Sequence, residues 1–275
     1  MGGLSLLLYP KFADYWNSLH QSQAIASYAE AVAEMDNSKN EEIMAAAHAY
    51  NDALKRRPVT YALTDEEKEQ YEQVLDITGT GIMGYVEIPS IKVSLPIYHG
   101  TSDGVLQVAA GHLDWTNLPI GGSNNHSVIS AHRGLPSAKL FTDLDKLVEG
   151  DTFVIKVLDE IFTYEVDQIL IVLPSDVQAL VREQGKDYCT LETCTPYGIN
   201  THRMLVRGHR VENAVEVRTL VITSEASLID PKYVAGALAL PMLFILLVWT
   251  TMTDSRTRRR KRTIKEFRQN GARFS

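Results

Sequence analysis

The run Thr190-Leu191-Glu192-Thr193-Cys194 is β-prone and ends in a thiol. It predicts a strand that holds Cys194 rigidly at its end, next to an accessible loop. A thiolate is a good nucleophile toward carbonyl groups, so a thiol in this place suits acyl transfer through a thioester. We therefore take Cys194 as the candidate nucleophile, against the alternative that it is a buried, inert thiol.

Two further side chains at the edges of apolar runs complete a set for acyl transfer. His132 ends the run Val128-Ile129-Ser130-Ala131-His132, and an imidazole there can protonate a leaving amine and then accept a proton from the incoming nucleophile. Arg203 stays protonated, so it can donate hydrogen bonds to a developing oxyanion. The alternatives are a structural histidine and a surface salt bridge, and Arg207 and Arg210 are rival guanidinium groups.

The second cysteine, Cys189, is not expected to pair with Cys194. Residues five apart on one strand point to opposite faces, and their Cα atoms lie roughly 16 Å apart, beyond the reach of a disulfide. Cys189 is therefore expected to be a small buried residue. By the same alternation, Arg203 and Leu205 share one face of the following strand.

The hydrophobic pattern changes period near residue 81. Before it, apolar residues recur at helical spacing within the N-terminal region 12–80. After it, short alternating or continuously apolar segments from 81 to 222 predict a mainly β domain, as a barrel with a buried interior would give. The expected helices span about 12–36, 40–55 and 65–75, and Thr64 with Glu67 forms a capping box for the third.

The C-terminal residues predict membrane anchoring. Residues 233–253 carry no charged side chain, and roughly 20 apolar residues in a helix span a ~30 Å hydrocarbon core. A spacer at 223–232 precedes this segment, and a basic tail at 254–275 follows it. By the positive-inside rule the tail is cytoplasmic and the catalytic domain extracellular, at the cell membrane. The alternative is a buried core helix.

The charge distribution bears on partners. The chain carries a formal charge of −7, but its basic tail holds nine Lys or Arg against two acidic residues, so the remainder carries −14. An acidic body argues against nucleic acid as the partner, because phosphate binding needs a basic face. No metal-ligand spacing and no Gly-rich phosphate loop occurs, so we expect no metal and no cofactor.

The first residues, 1–11, are apolar but too short to span a bilayer. They lack the basic start and the cleavage site of a signal peptide. We expect them to be the stub of a longer hydrophobic segment, with an amphipathic start as the alternative.

Taken together, these motifs resemble the sortases, and specifically class C, the pilin polymerases of Gram-positive bacteria. The resemblance rests on Thr-Leu-x-Thr-Cys at 190–194, its continuation at 195–203, Ser-Ala-His-Arg-Gly at 130–134 and Leu-Pro-Ile-Gly-Gly at 118–122. It implies an eight-stranded β-barrel with N-terminal helices. It also implies Cys194 as nucleophile, His132 as acid and base, and Arg203 as oxyanion donor or substrate clamp.

The resemblance further implies substrates and partners. A sortase cleaves a Leu-Pro-x-Thr-Gly-like (LPxTG) signal between Thr and Gly, holds the acyl group on Cys and passes it to an amine. In class C the amine is a Lys of another pilin. The partners implied are LPxTG-bearing pilin subunits and surface proteins, and membrane lipid around 233–253. The alternatives are a sortase that attaches proteins to the cell-wall peptide, an extracellular cysteine protease, and a non-enzymatic surface scaffold.

One stretch departs from the class C pattern. Many members carry an Asp-Pro-aromatic lid over the cysteine, whereas here the corresponding residues, 54–67, contain Pro58 without a preceding Asp. We expect either a more open site or cover by Tyr61 through another contact.

Overall fold

The computed structural model describes residues 2–213, and the side chains from Tyr9 onward. Helix α1 spans Gly2–Glu34, α2 Asn37–Lys55, α3 Asp65–Gln73 and the short α4 Asp103–Leu106. The strands are β1 Ile82–Ile88, β2 Val93–His99, β3 Ala110–His112, β4 Asn125–Ser130, β5 Thr152–Val157, β6 Glu160–Val172, β7 Asp187–Thr195 and β8 His202–Val211. The predicted spacer, membrane helix and basic tail, at 223–275, lie outside the described residues.

The eight strands form a closed barrel in the order β1-β2-β3-β4-β7-β8-β6-β5. The β2–β3 and β4–β7 pairs are parallel, and the other pairs are antiparallel. The interior is filled by apolar side chains such as Met83, Ile97, Phe153, Leu191 and Val206. The predicted β-barrel with N-terminal helices is therefore present, and its closure leaves no unpaired sheet edge.

The N-terminal helices pack on the barrel through a few specific contacts. On α1, Tyr28 is buried; its hydroxyl donates to the carbonyl of Met83 at 3.1 Å and accepts from the amide of Leu158 at 2.9 Å. On α2, the buried Asn51 exchanges two hydrogen bonds with the backbone of Leu118, at 2.8 and 3.2 Å. These bonds fix the helices against the barrel wall.

Helix boundaries follow capping chemistry where the sequence supplies it. Thr64 and Glu67 form the predicted capping box at the start of α3. Asp36 accepts from the amide of Lys39 at 2.8 Å and so begins α2 three residues earlier than predicted. The expected start of the first helix at residue 12 is wrong, because α1 runs without a break from Gly2 through Pro10. Within residues 2–213, no helix combines the length and apolar character needed to cross a membrane.

Candidate active site

Cys194 lies near the end of β7 with its side chain on the outer face of the barrel. Alternate residues of this strand face inward, where Cys189 and Leu191 are part of the core. Cys194 is partly exposed, and neither cysteine is in a disulfide. The parity prediction for the two thiols is thus confirmed, and burial raises the pKa of Cys189 well above its ordinary value.

The parallel pairing of β4 and β7 determines where the segment with His132 leaves the barrel relative to Cys194. Each partner on β7 is 62 residues beyond its partner on β4, ending with Ser130 opposite Glu192. The alignment continues past the strand end, because the amide of Ala131 donates to the Glu192 carbonyl at 3.1 Å and the Thr193 hydroxyl donates to the Ala131 carbonyl at 2.8 Å. Extended by two residues past the strand end, this register pairs position 132 with position 194.

Arg203 flanks Cys194 from the opposite side. It is the direct partner of Cys194 in the antiparallel pairing of β7 with β8. Directly opposed residues project to the same face with Cβ atoms about 4.5–5.5 Å apart. The fold therefore brings Cys194 and Arg203 together on one face, and β4 ends two residues before His132 at the same end of β7.

The rival arginines are engaged elsewhere on β8. Arg207 makes two hydrogen bonds of 3.0 Å to the carboxylate of Asp167 and stacks over the Tyr188 ring at 4.1 Å. Arg210 donates to the carbonyls of Ile161 and Thr163, each at 3.1 Å. Their guanidinium groups hold strands together and do not face Cys194 across a strand pair, which leaves Arg203 as the guanidinium at this site.

Sequence reasoning missed the carboxylate that contacts Arg203. Glu192 Oε1 lies 3.3 Å from Arg203 Nε, and the Glu192 side chain is 13% exposed. Burial raises the pKa of Glu192, and the charge of Arg203 opposes that rise. A signal was available, because residues two apart on a strand share a face and Glu192 is two residues before Cys194.

An apolar floor adjoins these polar groups on the outer face. Val128, Leu180 and Leu205 are buried there, and partly buried side chains pack against them. These flanking side chains are Leu113, Trp115, Leu170, Val172 and Ala179. Leu205 does share the face of Arg203, as the alternation predicts. Leu205 is paired with Glu192, two residues before Cys194, so one edge of the floor lies diagonally from the thiol across the β7–β8 pair.

The same fold occurs in known proteins. A family model described as "Sortase domain" matches residues 86–211. The crystal structure of sortase C1 from Streptococcus agalactiae is similar with a TM-score of 0.68 and 50% identity, covering 70% of this chain and 100% of that one. The chain belongs to the sortase family.

Other sortases extend the comparison. The crystal structure of sortase C from Streptococcus pneumoniae, which concerns catalysis and pilin substrate specificity in that protein, has a TM-score of 0.64 and 43% identity over 70% of this chain and 97% of that one. Sortase A from Streptococcus agalactiae is 32% identical over 117 residues, 42% of this chain and 47% of its own. This chain thus spans about half the length of that relative. The resemblance to class C sortases is confirmed by the structural neighbours.

In this sortase, the stretch at 54–67 lies against the outer face without an Asp-Pro pair. Tyr61 is 48% exposed and packs edge-to-face on Trp115, with ring centroids 5.1 Å apart. Gln178 donates to its hydroxyl at 3.3 Å. Arg182 donates to the carbonyl of Arg57 at 2.9 Å. The aromatic side chain is therefore held at the apolar floor, through Trp115 and the segment between β6 and β7.

The loop between β7 and β8 packs on the segment that follows His132. Gly134 has a positive φ of 77°, and a Cβ there would lie 3.0 Å from the Tyr197 ring. The guanidinium of Arg133 lies 5.9 Å from the centre of the same ring. Glycine is favoured at this position because φ is positive, and a Cβ there would require the exposed Tyr197 ring to shift by a few tenths of an ångström.

Two other histidines are structural. Burial lowers the pKa of His112 to about 3 and that of His126 to about 4. His112 lies 2.9 Å from the Tyr71 hydroxyl, and His126 lies 2.7 Å from the Thr190 hydroxyl. Both are buried and neutral, so they differ from the partly exposed His132. Within the described part of the chain, no group of three or more His, Cys, Asp or Glu is arranged to hold a metal ion.

Proposed function

We propose that this sortase is a membrane-anchored cysteine transpeptidase. It would cleave an LPxTG-like signal between Thr and Gly, hold the acyl group as a thioester on Cys194, and transfer it to a pilin Lys amine. The observation that supports this most is the direct pairing of Cys194 with Arg203, together with the parallel β4–β7 register that ends two residues before His132.

Acylation uses each of the three side chains once. The Cys194 thiolate attacks the Thr carbonyl carbon, and the carbonyl oxygen becomes an oxyanion. Arg203 donates hydrogen bonds to that oxygen where the charge develops. The tetrahedral intermediate collapses, the Thr–Gly bond breaks, and His132 protonates the departing Gly amine. The products are a Cys194 thioester and a free glycine amine.

Transfer runs the same chemistry in reverse order. A Lys amine attacks the thioester carbonyl, and His132 removes a proton from the attacking nitrogen. Arg203 again stabilises the oxyanion. The C–S bond breaks, the thiolate of Cys194 is regenerated, and an isopeptide links the Thr carbonyl to the Lys side chain.

Pilin as the acceptor is the finer part of the proposal. It is supported by the class C neighbours at 50% and 43% identity. A wall-peptide amine would use the same three side chains, so only the acceptor separates the two functions. The apolar floor beside Cys194 suits the Leu and Pro side chains of the signal, because burying them removes apolar surface from water.

Anchoring is proposed from the sequence alone. Residues 233–253 would cross the bilayer, with the catalytic domain outside and the basic tail in the cytoplasm. Protease added to intact cells should then digest the catalytic domain and spare an epitope placed on the C-terminal tail. Digestion of the tail epitope in intact cells would contradict the orientation.

The first test of the chemistry is mass spectrometry of the full-length protein incubated with a Leu-Pro-x-Thr-Gly peptide. We expect an acyl adduct on Cys194 and release of the Gly fragment. Cys194→Ala should form no adduct, whereas Cys189→Ala should form it normally. An adduct in Cys194→Ala would overturn the assignment of the nucleophile.

A further inference from the structure

Glu192 occupies a specific place relative to the reacting groups. It lies on the outer face of β7, two residues before Cys194. Its direct partners are Ser130 on β4 and Leu205 on β8. Arg203 is therefore its diagonal neighbour, and a long side chain reaches across such a diagonal. The observed distance of 3.3 Å from Glu192 Oε1 to Arg203 Nε shows that the contact is made.

The surroundings make this ion pair different from an exposed one. The Glu192 side chain is 13% exposed and that of Arg203 is 30% exposed. Among residues 2–213, Glu192 is the only carboxylate within 4.0 Å of Arg203. When less water surrounds a charge pair, the attraction between the two charges is stronger, and leaving either charge without its partner becomes costly.

The geometry of the guanidinium determines what the contact does. Its five N–H donors lie in one plane with fixed directions. Nε lies 3.3 Å from Glu192 Oε1 as an ion pair, and Nη1 donates to the carbonyl of His202 at 3.3 Å. These two contacts, at different corners of the guanidinium, restrict its position and leave the donors of Nη2 unused among the described residues. Those donors are the ones left for a substrate oxyanion next to Cys194.

We infer that Glu192 is a positioning residue, which fixes the guanidinium of Arg203 so that its free donors face the carbonyl under attack at Cys194. The inference rests on the proposed function. In this proposal Glu192 has no direct role at the sulfur or at the substrate carbonyl, and its effect passes through Arg203. It also keeps a counter-charge beside the arginine before the oxyanion forms.

The test is a double-mutant cycle on the full-length protein, measured as single-turnover acylation of Cys194 by a Leu-Pro-x-Thr-Gly peptide. Glu192→Gln keeps the shape and removes the charge. We expect its acylation rate at saturating peptide to fall about tenfold or more, since small misplacements of a catalytic group have effects of this size. The peptide concentration for half-maximal rate should change less than twofold.

The second arm asks whether the effect passes through the arginine. In an Arg203→Ala background, Glu192→Gln should lower the rate less than twofold further, because the group that Glu192 positions is already gone. Equal factors in both backgrounds would overturn the inference, as would an unchanged rate in Glu192→Gln alone. If Glu192→Gln does not fold, Glu192→Leu supplies the same comparison with an apolar side chain like the neighbouring Leu205.

A matched control separates positioning from general loss of an ion pair. Lys156 Nζ lies 3.0 Å from Glu87 Oε2 on the β1–β5 side of the barrel, with similarly small exposure. Glu87→Gln should leave acylation within twofold of wild type. Failure of the proposed function would look different: Cys194→Ala would still form an adduct, or Arg203→Ala would acylate at the wild-type rate.

Discussion

The two cysteines lie five residues apart on one strand and have opposite chemical environments. Cys189 faces the barrel core, where burial raises the pKa of its thiol well above the ordinary value. Cys194 faces outward, between the strand that leads to His132 and the strand that carries Arg203 as its second residue. Strand parity thus decides which thiol is surrounded by core and which can meet a substrate. The inner face provides stability, and the outer face carries the proposed chemistry.

The largest effect should appear in thiol labelling of the folded protein. Cys194 should react with iodoacetamide at least about a thousandfold faster than Cys189, because modification of a core thiol requires an opening reaction with an equilibrium constant of ~10³–10⁸ against it. Peptide mapping after timed labelling measures both rates. In urea the two rates should converge. Comparable labelling rates of the two cysteines in the folded protein would contradict the assignment of Cys189 to the core and Cys194 to the outer face.

Removing the guanidinium from the outer face should have the next largest effect. Arg203→Ala should lower the acylation rate by roughly 10²–10³, the usual effect of losing one oxyanion donor. Arg207→Ala is the control on the same strand. It should lower the melting temperature by breaking the pair with Asp167, while the folded fraction acylates within twofold of wild type. A larger loss of acylation rate in Arg207→Ala than in Arg203→Ala would assign the oxyanion role to Arg207 instead.

The next prediction concerns buried His126 on the same outer face, which should make the stability of the protein depend on pH. His126 faces outward on β4 but is buried. Burial is the main cause that lowers its pKa to about 4, while the charge of Arg207 lowers the pKa and that of Asp167 raises it. Between the unfolded value of about 6.5 and the folded value, the unfolded chain binds a proton that the folded protein does not. Stability contributed by neutral His126 is therefore complete above pH ~6.5 and is lost as pH falls toward about 4.

The corresponding measurement is urea unfolding of wild type and His126→Gln across this range. The free energy of unfolding of the variant should fall less steeply with decreasing pH, by about 1.4 kcal/mol per pH unit for one proton. His112, with a pKa lowered to about 3, should still contribute its own dependence in both proteins. Parallel curves would show that His126 is protonated in the folded state.

The smallest effect should come from the aromatic side chain at the apolar floor. Tyr61→Ala should raise the labelling rate of Cys194 roughly two- to fivefold, because a partly exposed side chain limits access only in part. Tyr15→Ala is the control, since Tyr15 is 57% exposed on α1. A labelling rate unchanged by Tyr61→Ala would mean that Tyr61 does not cover the site.

The sequence predicts local features well because their causes are local. The parity of Cys189 and Cys194 follows from the period of a strand, and the cap of α3 follows from Thr64 and Glu67. The three-residue strand β3 was not predicted, because Ala110–His112 is too short to show a period. The first helix was predicted to begin too late, since Pro10 is a usual sign of a helix boundary.

The assembly of the site depends on pairings that no local pattern contains. The parallel pairing of β4 and β7, which joins residues 62 apart, brings the segment that carries His132 to the end of β7 where Cys194 lies. The contact between Glu192 and Arg203 needs the register of β7 with β8. Family resemblance named the three candidate residues, but the register shows why Glu192 belongs beside them.

The most direct test of the account gives the full-length protein a Leu-Pro-x-Thr-Gly peptide together with a Lys-bearing pilin domain and follows all products by mass spectrometry. We expect a transient thioester on Cys194, followed by an isopeptide between the Thr carbonyl and a pilin Lys, with both absent in Cys194→Ala. An adduct that resolves only to water or to a wall-peptide amine would contradict pilin polymerisation. The absence of any adduct would contradict the assignment of Cys194 as the nucleophile.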